Sequence, residues 1–239
     1  MKSVSVITTL YNYEKYVKEC IESFINQDFK DSEMIIVNDC STDNSDSVVR
    51  KFSSDRIKYI SLDINKGYSH AKNVAIKNSC GKYLVHLDAD DIFTNNGISL
   101  RYNKIEENYD FVHGLAFELK DGKTIKTDRW KKWYELKDTN LAYKSVHAQG
   151  IIYKRDIHKE IGLFDENMRC KADREFTARV FNNGYKIGFV QKEVSIYRKH
   201  EQMMSRSKEK VKNNEKLEAD ALKLIEKRKN KDFSGLEML

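Results

Sequence analysis

The 239-residue chain contains no proline and only ten glycines. The usual marks of turns and helix ends are therefore scarce, and boundaries must be read from Asn, Asp and changes of hydrophobic period. Its four cysteines, Cys20, Cys40, Cys80 and Cys170, lie far apart with no Cys-x-x-Cys pair. That spacing excludes a local zinc ribbon and a disulfide ladder, so reduced thiols are expected. No stretch reaches the roughly 18 apolar residues of a membrane span, and residues 1–10 lack the apolar run of a secretory signal, so a cytoplasmic location is expected. Neither Gly-x-Gly-x-x-Gly nor Gly-x-x-x-x-Gly-Lys-Ser/Thr occurs after a strand, which argues against dinucleotide and P-loop cradles; bound phosphates would need a metal instead. Charge of one sign is not abundant either. With 43 Lys and Arg against 37 Asp and Glu, the net charge of +6 favours anionic partners without demanding nucleic acid, and no nucleic-acid partner is expected.

What is present is a globular composition, 40% hydrophobic and 33% charged, sufficient for one compact domain with appendages. Short β-branched or apolar runs at residues 4–9, 34–37, 57–61 and 83–87 alternate with helical patterns at 14–25, 45–52 and 68–78. Such alternation predicts parallel strands joined by right-handed crossovers, a Rossmann-type layer over residues 1–91. Beyond Asp91 the rhythm changes to α+β: a helix at 98–106, strands at 111–119 and 123–127 around Asp121-Gly122, a strand at 149–153, a helix at 170–182 and a strand at 194–197. Residues 206–239 form a Lys-rich helical extension with Val211, Leu217, Ala221, Leu222 and Ile225 apolar.

In open parallel sheets ligands bind beyond the carboxyl ends of the strands. The loops there hold Thr8-Thr9-Leu10-Tyr11-Asn12, Asn38-Asp39-Cys40-Ser41-Thr42-Asp43 and Asp88-Ala89-Asp90-Asp91. Asp88 and Asp90 leave a strand two positions apart, and if the chain stays extended both face one side, an arrangement suited to a hard divalent cation. The plainer reading is an aspartate-rich turn that caps the next helix. Asp39 is placed to accept hydrogen bonds from a base or a ribose hydroxyl, whereas Ser41, Thr42 and Asp43 read mainly as a helix cap.

These motifs, in this order, resemble those of the inverting family 2 glycosyltransferases of the GT-A fold, over about the first two hundred residues. Thr8, Tyr11 and Asn12 are similar to the family's first nucleotide loop, without its proline. The run from Ile35 to Asp43 resembles Val-Asp-Asp-Gly-Ser-Thr-Asp, with Asn38 and Cys40 as departures and Asp39 retained as the nucleoside-binding acid. Asn65 and Gly67, then Lys72 and Asn73, resemble the segment beside the diphosphate, with Lys72 replacing arginine. Asp88-Ala89-Asp90 matches the Asp-x-Asp signature, in which the first acid faces ribose and the second holds the metal. Asp173 stands where the family has its catalytic acid at a helix start, although Ala172 departs from the family's glutamate. His200 resembles the late histidine that completes the metal shell.

The resemblance implies a GT-A mixed α/β sheet with helices on both faces over residues 1–205, divided into a nucleotide-binding half (1–91) and an acceptor-binding half (92–205), with a C-terminal helical extension. It implies transfer, with inversion, from a UDP-sugar to a glycan or lipid-linked glycan acceptor in bacterial surface polysaccharide synthesis, using Mn²⁺ or Mg²⁺. Two rivals stay open: a sugar-nucleotide nucleotidyltransferase, whose Gly-rich basic loop after the first strand is missing here, and a non-catalytic binding protein with a basic tail. That tail is a solvated helix or an amphipathic one that touches the inner membrane face. Glu175 reads as a helix-dipole partner or an Arg179 pair, and His86 as a core histidine. His200 has the alternative of a solvated loop, and Trp130, Trp133 and Tyr134 either stack on an acceptor sugar or fill a core.

Overall fold

A computed structural model of the chain describes residues 2–127, 146–168, 171–203, 223, 224, 226–228 and 233–239. The aromatic stretch with Trp130, Trp133 and Tyr134, Cys170, and most of the basic extension lie outside the described residues. Strand β1 (Val4–Leu10) is buried at all seven positions. Val4, Val6 and Leu10 enter one apolar cluster and Ile7 the other, so both faces must be covered. Helices α1 (Val17–Ile25), α2 (Ser45–Val49) and α4 (Gly97–Ile105) cover one face through Val17, Phe24, Val49 and Ile98. Helices α3 (Tyr68–Lys77), α5 (Ile157–Ile161) and α6 (Ala172–Asn182) cover the other through Ala71, Ile161 and Phe176. The expected three-layer α/β arrangement is what forms.

With β2 (Ser32–Asn38), β3 (Ile57–Ser61), β4 (Tyr83–His86), β5 (Ile92–Phe93), β6 (Phe111–Lys120), β7 (Lys123–Lys126), β8 (Ile151–Lys154) and β9 (Ile187–Arg198), the described residues make one nine-stranded sheet in the order β3-β2-β1-β4-β8-β6-β9-β5, with β7 on β6. β1 to β4 pair in parallel with one another, and β8 then joins β4 and β6 antiparallel. The four parallel strands and the later strands are thus one continuous surface, and the carboxyl ends of β1, β2 and β4 open on one rim.

Several expected boundaries move. Helix α1 begins at Val17 rather than residue 14, and α2 stops at Val49. Ala148–Gly150 is a single 3₁₀ turn, so the strand expected at 149–153 begins at Ile151. The last strand starts at Ile187, not residue 194. The basic stretch after residue 205 is not wholly a solvated appendage: among its described residues, Leu224, Phe233 and Leu239 pack on the core, and Arg228 is buried. The backbone N–H of Leu163 donates to Glu237 O (2.7 Å) and Lys77 Nζ lies 2.5 Å from a Glu237 carboxylate oxygen. Cys20, Cys40 and Cys80 are free thiols. No helix among the described residues is long and apolar enough to cross a membrane.

Candidate active site

The first two rim loops are stitched together by Asn12, which sits at φ 57°. Its Oδ1 accepts the Thr42 N–H (2.8 Å), and its own N–H donates to Ser41 Oγ (3.0 Å). Ser41 and Thr42 therefore join loops, whereas Asp43 does both: its Oδ1 accepts the Ser45 N–H (2.9 Å) at the start of α2, the capping role expected of it, and its Oδ2 accepts the Glu14 N–H (3.0 Å). Tyr11 on this loop is 45% exposed, whereas Thr8 is fully buried inside β1. Asp39 is buried, and its two carboxylate oxygens accept the N–H groups of Lys66 (2.9 Å) and Gly67 (2.8 Å), while its carbonyl accepts the Asn65 amide (3.0 Å). One acid thus fixes the loop that starts α3, where Gly67 takes φ 94°. Cys40 takes φ 60° at the position where the resemblance has glycine, a left-handed conformation that costs an L-residue about 1 kcal/mol.

The chain does not stay extended after β4. A turn at Ala89–Asp90, closed by Asp91 N–H to Asp88 O (3.0 Å), sends the two acids to different partners, because Ala89 is anchored in the core. Asp88 lies 3.4 Å from Lys72 Nζ and accepts the Gln149 amide at 2.5 Å. Lys72 is wholly buried, with its ammonium 4.8 Å from the Tyr68 ring centroid. Burial pushes the Lys72 ammonium down against the pull of Asp88 and Asp173. Burial, reinforced by Asp90 and Asp173 and opposed by Lys72, lifts the Asp88 carboxyl. The pocket is therefore short of cations for its acids, a state that a bound cation would relieve.

Asp90 Oδ2 lies 3.0 Å from His200 Nε2. Burial and the charges of Asp90 and Asp88 push the Tyr13 phenol up, so it stays a donor toward Asp90. Arg198 stitches β9 to this turn: its N–H donates to Asp91 Oδ1 (2.8 Å), its Nε donates to Asp90 O (2.9 Å), and its guanidinium lies 5.2 Å from the Tyr16 ring. The His200 ring is 4.3 Å from the same Tyr16 ring. His200 is thus a held group and not a solvated loop histidine; its side chain is 9% exposed.

Asp173 stands in the first turn of α6, near enough to the Asp88 side of the rim for its charge to act on Lys72, Asp88 and Tyr68. Glu175 turns inward and pairs with Arg179 (2.8 Å), the plainer of its two readings. Asn73 is engaged elsewhere: its amide bonds Phe164 O (2.9 Å), Glu166 Oε1 (2.9 Å) and Phe164 N–H (3.0 Å). It fastens α3 to the segment that leads into α6. His86 is a core histidine, its Nε2 3.0 Å from the Tyr153 hydroxyl.

Sequence reading missed Gln149, Tyr13, Tyr16 and Arg198 as site groups. Gln149 is set by the buried Arg101, whose Nη1 donates to Gln149 O (2.9 Å) and Ile151 O (3.2 Å); an Arg in an amphipathic helix was the only available signal. For a divalent cation, Asp90 and His200 offer one carboxylate oxygen and one imidazole nitrogen that already face each other. No group of three His, Cys, Asp or Glu gathers for a metal among the described residues. The donor set fits an ion completed by phosphate oxygens and water.

The chain is 30% identical over 187 residues to an uncharacterized glycosyltransferase of Rickettsia prowazekii, covering 74% of this chain and 58% of that one. It is 30% identical to the teichoic acid poly(glycerol phosphate) polymerase of Staphylococcus epidermidis, covering 74% of this chain and 25% of the polymerase. It therefore spans only part of these curated relatives. Among solved structures, S. aureus TarS in complex with UDP-GlcNAc superposes with a TM-score of 0.74 at 26% identity, over 87% of this chain and 61% of that one, and the sheet and its helices are those of the GT-A fold. The profile of glycosyl transferase family 2 matches residues 5–162, from β1 through β8 and α5, and the chain belongs to that family.

Proposed function

We propose that the chain transfers a sugar from a UDP-sugar to an acceptor hydroxyl, with inversion at the anomeric carbon, in the assembly of a surface glycan. The observation that carries this reading is the meeting of Asp88, the Asp90–His200 pair and Asp173 from three separate stretches at the mouth of β4, beside the buried Lys72. The relatives add support: a teichoic acid polymerase among the sequences and a UDP-GlcNAc complex among the structures. In this reading Tyr11 and the Asp39 loop flank the nucleoside, Asn65, Gly67 and Lys72 the diphosphate, and Asp88 the ribose. Asp90 and His200 hold Mn²⁺ or Mg²⁺, which when bound neutralises charge on the departing diphosphate.

Asp173 accepts the proton of the attacking hydroxyl. A carboxylate with a reference pKa of about 3.9 is a weak base for an alcohol, so proton transfer lags behind attack and placement supplies much of the rate. A single direct displacement of this kind inverts the anomeric centre.

The test is a screen of UDP-sugars with and without Mn²⁺, followed by thermal shift and UDP release. The expected result is metal-dependent stabilisation and UDP release with at least one donor, both strongly reduced in Asp90→Asn. Unchanged Mn²⁺-dependent UDP affinity in that variant would remove Asp90 from the metal site, and pyrophosphate release from a nucleoside triphosphate would replace the reading with a nucleotidyltransferase.

A further inference from the structure

Helix α6 brings Asp173 to the rim but has no cap of its own. Its N-cap residue, Lys171, is left-handed at φ 57° and makes no capping side-chain bond. The helix is instead gripped from behind. Glu175, one half-turn beyond Asp173, is wholly buried, and its Oε1 lies 2.8 Å from both Arg179 Nε and Arg228 Nη1. Arg228 reaches in from the stretch after residue 223 and is only 4% exposed. Its Nη2 donates to Asp165 Oδ2 (2.7 Å), and Asp165 Oδ1 accepts the Asn167 N–H (2.9 Å) in the loop that precedes α6. Arg179 spends its remaining donors on the carbonyls of Ile161, Gly162 (3.0 Å) and Leu163 (2.8 Å). Two buried acids therefore face two buried guanidiniums. Arg228 is the one that bridges the helix to the loop before it, and it lies well beyond the family-matched residues 5–162.

We propose that Arg228 is a positioning residue for glycosyl transfer, fixing the first turn of α6 and with it Asp173. This rests on the reading of Asp173 as the base. Without Arg228 the bridge from Glu175 in the first turn of α6 to Asp165 in the loop before it is broken and the turn is no longer held in place; in the single variant the buried excess of negative charge drives it further toward water. A base must lie within about 2.6–3.2 Å of the proton it takes, and a misplacement of about 1 Å can cost on the order of a hundredfold in rate. Asp165, Glu175, Arg179 and Arg228 share no hydrogen bond or ion pair with Asp39, Lys72 or Asp88; the route to the donor side runs through α3, where Ser69 and Asn73 hold Met168 and Phe164, so donor affinity is expected to change far less than turnover.

The experiment uses the full chain as Arg228→Met, Arg228→Lys and the charge-balanced double variant Glu175→Gln/Arg228→Met, assayed with the UDP-sugar that releases UDP in the screen above. Three quantities are read: kcat for UDP release, the affinity for UDP with Mn²⁺, and amide hydrogen exchange in residues 171–180. Arg228→Met should lose at least tenfold in kcat, hold UDP within twofold of the parent, and exchange faster in the first turn of α6 than in α1 or α4. Arg228→Lys should recover part of the rate. Should Arg228→Met fail to fold, the double variant, which removes opposite charges in equal number, is expected to fold and remain slow. A kcat within twofold of the parent in a folded Arg228→Met or double variant, or unchanged exchange in the first turn, overturns the proposal. Asp173→Asn separates the two ideas. Full turnover there sinks the base reading, whereas an inactive Asp173→Asn beside an unimpaired Arg228→Met sinks only the positioning role.

Discussion

At the scale of single residues, the acids after β4 were legible because a motif places them next to each other in sequence. Their partners were not, because Gln149 and Tyr13 reach Asp88 and Asp90 across the fold. Asn12 and Asn73 show the opposite difficulty. In sequence, an asparagine beside a ligand cannot be told from one whose amide is taken by neighbouring backbone, and here both amides are so engaged. Cys40 is a third case: its departure from glycine becomes interpretable only once φ is known to be 60°. The residue whose role is most directly testable is Asp173. Asp173→Asn keeps the shape but cannot take a proton. General-base catalysis typically supplies 10²–10⁴-fold, so UDP release should fall by about that much, with UDP binding in the presence of Mn²⁺ unchanged by calorimetry. Near-parental turnover would assign the proton to another acceptor.

At the scale of elements, the first half was readable because strands buried on both faces give unbroken apolar runs and the helices between them keep a 3.6-residue period. The later elements were harder for physical reasons. β5 has two residues and α5 has five, too short for any period to register. Only the end of β9 was seen, because its polar middle from Gln191 to Glu193 interrupts the pattern where the β6–β9 register shifts. α5 nevertheless carries a group that adds to the pH response of the fold. His158 is fully buried between the Tyr153 hydroxyl (3.0 Å) and Gly162 O (2.9 Å), and burial lowers its pKa from 6.5 to about 3, with Arg179 and Arg155 adding to the effect. Between those values the unfolded chain binds a proton that the folded one refuses, so stability rises with pH across this window and is lost as pH falls from about 6.5 toward 3. Each pH unit is worth up to about 1.4 kcal/mol. Urea unfolding at pH 7 and pH 4.5 should show a marked loss that His158→Asn flattens. Some slope should remain, because burial depresses His86 and His113 in the same direction. An equal slope in parent and variant would assign the pH response to other groups.

For the molecule as a whole, the stretch expected to be a basic appendage contributes to closing the core beneath α5. Gly162, at φ 80°, receives Leu236 so closely that a Cβ there would meet Leu236 Cβ at 2.8 Å. Gly162→Ala therefore suffers twice: about 1–2 kcal/mol for a left-handed alanine and about 1–3 kcal/mol for overpacking. At about 2–4 °C per kcal/mol for a chain of this size, its melting temperature should drop clearly, and Leu236→Gly in the same background, which removes the Cβ it would meet, should return the overpacking part and leave the backbone part. A Gly162→Ala variant as stable as the parent would mean that the segment is not seated there in solution. The sheet order carries a consequence for how the chain is made. The outer side of β4 is filled by β8, which the ribosome delivers some 65 residues later, and β6 waits still longer for β9. Until then the newly synthesised first ninety or so residues present a bare strand edge to every neighbouring chain, the kind of template that invites association between nascent polypeptides. Premature termination between β4 and β8 should accordingly yield aggregates instead of a smaller folded unit.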